Sequence, residues 1–147
     1  MGQQQLLLLV LGIVIVGLAV VVGIQAFSEN QKQANADQMV NDAIRIASDA
    51  QAWKLKPSAF GGGASATNWT GLDFGQMGYT VGDQGLHPGT AAEADQYENL
   101  NAVYDLAASG ADLTITGNSF DAAGNALNTI VVVVDGTTPA DITTTIN

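Results

Sequence analysis

Apolar residues run almost unbroken from Leu6 to Phe27 (LLLLVLGIVIVGLAVVVGIQAF) and pass into a polar, periodic stretch without a proline or a turn signal between them. An uncharged run of this length is enough to cross a bilayer as a helix. From Ser28 to Lys56 the apolar positions Met39, Val40, Ala43, Ile44, Ala47 and Ala50 recur at three- and four-residue steps, and Ile46 and Trp53 broaden the face. That spacing predicts an amphipathic helix. Lys54 and Lys56 suit its last turn, and Pro57 stops it. Residues 1–56 therefore read as one long N-terminal helix, with an apolar membrane or filament-core segment over 1–27 and an amphipathic half over 28–56. The stripe can pack on a sheet while its flanks face a second helix.

Residues 57–147 read as a small head. A Gly- and Ser-rich connection over 57–77 carries Phe60, Trp69 and Phe74, all expected to be buried. Thr90-Ala91-Ala92-Glu93 has capping-box form and predicts a short helix to about Asn99. Strands are expected over 101–107, over 111–117 with Leu113 and Ile115 on one face, and over 129–134 as a central apolar strand. A turn at Asp135-Gly136-Thr137-Thr138-Pro139 leads to a last strand over 140–146, with Ile142, Thr144 and Ile146 on one face. Short connections make an antiparallel meander. The fold class is α+β: a long N-terminal α-helix packed on a small C-terminal antiparallel β-sheet.

Charge sharpens this picture. The four cations, Lys32, Arg45, Lys54 and Lys56, all lie in the helix, beside Glu29, Asp37, Asp42 and Asp49. The other ten of the fourteen acids follow Pro57, where there is no Lys or Arg, so the head carries the whole net charge of -10. A surface of one negative sign repels nucleic acid, which is excluded as a partner. Arg45 and Asp49 form a surface pair at four-residue spacing.

Little chemistry is visible. The chain has no cysteine and a single histidine, His87, which excludes disulfides, thiolate metal sites and a typical zinc site. Gly61-Gly62-Gly63 lacks the Lys-Ser/Thr of a phosphate loop and reads as a loop. Asp121 to Asn125 lacks the alternating acids of a calcium loop and reads as a hairpin turn. The aromatic residues are scattered along the chain. No nucleophile with a paired base is evident, so no catalytic residue, metal or cofactor is expected, and the chain reads as a non-enzyme. Asn68-Trp69-Thr70 has the form of an N-glycosylation acceptor at Asn68.

The N-terminal run has neither the basic n-region of a secretory signal nor the flanking positive charges of an ordinary anchor. It contains Gly12, Gly17 and Gly23, each costing about 1 kcal/mol relative to Ala in a helix interior. Small residues let helix backbones approach in apolar surroundings, which tilts the reading from lone anchor to packed assembly.

An uncut apolar N-terminal helix that runs into an amphipathic half and an antiparallel β head resembles the type IV pilin and pseudopilin family, most nearly its short, non-standard bacterial members opening with a Gln run followed by Leu and Val. The resemblance implies a helical homopolymer, with N-terminal helices bundled in the core and heads outside. On that basis Met1, Gln5, Leu6, Leu9, Gly12, Val16, Gly17, Val20, Gly23 and Phe27 are the expected filament-core residues. Gln5 stands where the family carries Glu, so any bond to a neighbour's terminal amine lacks charge assistance. Any helix melting is expected between Gly12 and Gly23. The implied partners are copies of the chain, the cytoplasmic membrane before assembly and the pilus assembly machinery. The implied location is a cell-surface or extracellular filament. The alternatives are a minor pseudopilin and a monomeric membrane-anchored binding module.

Overall fold

The computed structural model describes residues 2–63, 68–87 and 92–147. One α-helix, α1 (Gly2–Leu55), precedes five strands, β1 (Tyr97–Glu98), β2 (Val103–Ser109), β3 (Asp112–Phe120), β4 (Ala126–Val134) and β5 (Ile142–Ile146). The strands form one antiparallel sheet in the order β1-β2-β3-β4-β5, the predicted meander. The chain divides into two compact units, residues 1–34 and residues 35–147. The second contains the sheet and the part of α1 that packs on it.

Within this unit Met39, Ala43, Ile46, Ala50 and Trp53 are buried at alternating four- and three-residue steps. The first four meet Tyr104, Leu113, Ile115, Ile130, Val132 and Val134 of the sheet, with Trp69 and Phe74 closing the core. The buried alanines leave little between helix backbone and sheet. The face turns slightly from the expected stripe: Ile46 lies at its centre and Ile44 at its margin, 39% exposed. Gln51 is buried too, its Nε2 donating to Gly136 O at 3.0 Å and Thr138 O at 2.8 Å, which ties α1 to the turn after β4.

The end of α1 explains the glycine run. Gly62 N donates to Pro57 O and Gly63 N to Trp53 O. Trp53 Nε1 donates to Gly61 O and Gln76 Oε1, both at 3.0 Å. A Cβ on Gly63 would collide with the Trp53 ring, and Gly61 takes φ 78°. The glycines wrap the helix end and leave no phosphate cradle. Phe60, in the 3-10 turn Ser58–Phe60 that follows Pro57, is 73% exposed instead of buried.

Three further expectations are corrected. The helix predicted to Asn99 does not form over the described residues 92–99; Thr90 and Ala91 lie outside them. Gln96 turns back on Glu93, and Tyr97–Glu98 pairs with β2. There the Tyr97 ring packs 4.7 Å from Tyr79, so sheet pairing and ring packing override the capping signal. The middle strand is β3, not β4. In β4, Ile130, Val132 and Val134 are buried on the side that meets α1, and Val131 and Val133, on the other side, are only half-buried. Residues 140–141 form a 3-10 turn, Pro139–Asp141, capped reciprocally by Thr138 and Asp141, and the last strand starts at Ile142.

The aromatics scattered in sequence converge in space: Phe74, Tyr79, Tyr97 and Tyr104 form a chain of ring contacts with centroids 4.7–5.9 Å apart. Gly117 makes room for it, since a Cβ there would lie 2.8 Å from Tyr104 Cε1 and 3.0 Å from Ile130 Cγ1. Gly117→Ala should therefore destabilise the head by ~1–3 kcal/mol, read as a lower denaturant midpoint; an unchanged midpoint would show that the ring can shift freely.

Burial, then the charge of Asp42, pushes the Tyr104 phenol far above its ordinary value. The unfolded chain loses this proton near pH ~10 while the folded chain keeps it, so stability is full below that pH and falls above it. Between about pH 10 and 12 the loss should approach ~1.4 kcal/mol per pH unit from this residue. Denaturant titrations across that range should show a shallower pH slope for Tyr104→Phe, and an unchanged slope would contradict the assignment.

Candidate functional site

The feature that sets this chain apart is the surface of α1 before Ala34. All large apolar side chains from Leu6 to Phe27 are at least half exposed, from 50% at Leu11 to 68% at Leu7. Among the described residues, α1 is the helix long and apolar enough to cross a membrane, and none of its apolar window is buried in the chain. The long apolar N-terminal helix is compatible with membrane anchoring.

The helix arranges the expected filament-core residues along one line. Gln5, Leu9, Gly12, Val16, Val20, Gly23 and Phe27 follow each other at four- and three-residue steps, which places them on one stripe, with Leu6 and Gly17 at its flank. Met1 lies outside the described residues. A Cβ built on Gly12, Gly17 or Gly23 meets nothing within 4 Å. None of the three glycines has positive φ. Neither packing within the chain nor backbone conformation calls for glycine at these positions. In the isolated chain the helix is unbroken from Gly12 to Gly23.

The head presents a different kind of site. An open groove of about 560 Å³ is lined by Asp42 and Arg45 of α1 and by Leu86, Tyr97, Asn99 and Leu100, among others. Asp42 Oδ2 accepts from Asn99 Nδ2 at 2.9 Å and Asn101 Nδ2 at 2.8 Å, fixing the turn between β1 and β2 to the helix. Beside it, Glu98 is 3% exposed and its carboxylate accepts from the backbone N–H of Gln84, of Leu86 at 3.1 Å and of His87 at 3.0 Å. His87 Nε2 lies 2.7 Å from Asn99 O. A carbonyl only accepts, so this nitrogen carries the proton. Residue spacing gave no hint of this network, because its members come from separate segments of the chain.

Arg45 lies over the Tyr79 ring, 5.7 Å from its centroid, and Tyr79 Oη donates to Asp49 Oδ2. The expected Arg45–Asp49 pair is thus bridged by a tyrosine. Burial, then the bond to Asp49, pushes the Tyr79 phenol up. Asp121 caps its own turn, accepting from Ala123 N and Asn125 N at 2.8 Å, and its bonds to Asn125 draw its carboxyl down. This segment is a hairpin turn. At Asn68 the side-chain oxygen accepts from Thr70 N at 3.2 Å, and the main-chain oxygen accepts from Lys54 Nζ, while Trp69 at the middle of the triplet is buried. Among the described residues no three His, Asp or Glu side chains converge as a metal site.

No protein-family model, curated protein or solved structure matches the chain. Residue chemistry and geometry therefore carry the functional reading.

Removing the Glu98 carboxylate leaves three loop N–H groups without their acceptor. Glu98→Ala should cost ~2–4 kcal/mol and speed amide exchange at residues 84–87. Exchange unchanged at those amides would show that the carboxylate does not hold the loop.

Proposed function

We propose that this chain is a structural subunit of an extracellular type IV pilus-like helical filament that polymerises through its N-terminal apolar helix and resides in the cytoplasmic membrane before assembly. The observation that carries the reading is the pairing of an exposed apolar surface with Gly12, Gly17 and Gly23, at which an added Cβ would meet nothing within 4 Å. In lipid alone, alanine or leucine would serve better at all three, since each glycine weakens the helix by about 1 kcal/mol. Close approach of neighbouring helices gives the glycines a role. Twenty-odd apolar positions that leave lipid need an equally dry place, and a bundle of identical helices supplies it. The acid-only heads lie outside, where like charge keeps filaments apart at low salt. The chain acts by assembly and not by catalysis, and its partners are its own copies, the membrane and the assembly machinery.

Shearing the surface of cells that make the chain should release fibres of which it is the main component. A Gly12→Leu/Gly23→Leu double variant should remain in the membrane, with a stiffer and more apolar helix, while sheared fibre falls by about tenfold or more. Fibre yield unaffected by the double variant would contradict helix packing. A wild-type chain found only in the membrane fraction would favour the anchored binding module, with the Arg45–Leu100 groove as its ligand site.

A further inference from the structure

The outer edge of β5 has an unusual sequence, Ile142-Thr143-Thr144-Thr145-Ile146, which reads the same in both directions. We infer that β5 is a self-complementary edge through which two copies of this chain join their sheets, antiparallel and centred on Thr144. The inference does not depend on the filament reading.

Backbone geometry fixes which groups are offered. Thr129 and Asn147 exchange two hydrogen bonds, Asn147 N to Thr129 O at 2.9 Å and Thr129 N to Asn147 O at 3.3 Å, and Asp135 N donates to Asp141 O. With β4 and β5 in register as Val131↔Thr145 and Val133↔Thr143, the odd-numbered residues of β5 bond to β4. Ile142, Thr144 and Ile146 therefore aim their N–H and C=O groups away from the sheet. Among the described residues no strand pairs with that edge.

Pairing about Thr144 uses these groups fully. Thr144 meets Thr144 of the second copy, and Ile142 meets its Ile146, in hydrogen-bonded positions on the side of the sheet that carries the core. Ile146 is 54% exposed in the single chain and gains an apolar neighbour. Thr143 faces Thr145 of the second copy on the other side of the sheet.

Charge selects the same edge. Ten acids and no Lys or Arg follow Pro57, so most contacts between two heads oppose like charges. From Ile142 to Asn147 there is no charged side chain, and the Asp141 side chain would face that of Asn147 of the second copy. Edge strands that avoid pairing carry Lys, Pro, a bulge or inward charge. This one carries none of them. A two-fold contact of this kind closes on itself, so it joins two subunits and does not propagate.

The test uses the full chain in dodecyl maltoside micelles. Because the protein has no native cysteine, Thr143→Cys and Thr145→Cys each introduce a unique thiol. Cross-strand neighbours in non-hydrogen-bonded positions sit ~4.5 Å apart at Cα, within disulfide reach. Mild oxidation of the two variants mixed should give disulfide dimer at about fivefold or more the yield of either variant alone. Thr144→Pro added to both should abolish the excess, since the N–H it removes points outward and is not used by β4. Thr144→Lys should do the same and decides the matter if the proline variant loses its near-ultraviolet circular dichroism. Equal yields from mixed and single samples would overturn the inference, as helix-driven association gives no register preference. An excess that survives Thr144→Lys would overturn it as well.

Discussion

The side chains from Leu6 to Phe27 have no surface of their own chain to lie on. Sixteen large apolar residues there are at least half exposed, and burying each is worth roughly 1.5–3 kcal/mol. The sum far exceeds the stability of an ordinary domain, so this part of α1 is not at equilibrium with bulk water. It requires lipid, or other helices as apolar as itself. Other features fit that requirement: residues 1–56 have no net charge, residues 57–147 carry all of it, and the sheet packs on later turns of α1.

Those later turns use helix packing differently. From Asn35 the helix presents a narrow face of Met39, Ala43, Ile46 and Ala50 to the sheet, and polar clasps hold its flanks. Asn35 Nδ2 donates to Asn101 O, Asp42 holds Asn99 and Asn101, and Gln51 holds the turn after β4. Buried polar groups of this kind fix one docking of helix on sheet, since a slip by one turn would leave them unpaired. The large apolar side chains of the early turns, Leu6 to Phe27, are instead exposed.

Much of this was legible in the sequence because two periodicities are strong. The apolar run and the Met39–Ala50 stripe announce the helix, and alternation through Leu113 and Ile115 announces β3. The turn at Asp121–Asn125 follows from local side-chain bonding. What failed did so for tertiary reasons. Thr90–Glu93 has a good local capping pattern, but Tyr97 and Glu98 are recruited by β2, a ring cluster and a buried carboxylate. Phe60 looked like core, yet the short 3-10 turn Ser58–Phe60 leaves it exposed while Trp53 packs against Gly63. The Thr129–Val134 run suggested the central strand, but the strand order puts β3 in the middle and β4 beside it. The glycines of the apolar segment were visible from the start; that a Cβ on any of them meets open space became visible only in the structure.

If the proposed function holds, the apolar half of α1 exchanges lipid for copies of itself. Electron-microscopic images of isolated fibres at subunit resolution should then show residues 6–27 of neighbouring subunits packed together in a dry core, with Gly12 and Gly23 at the closest helix approaches and the acidic heads outside. Fibres whose core is built from the heads, or preparations in which residues 6–27 remain within a lipid or detergent belt around single subunits, would contradict it.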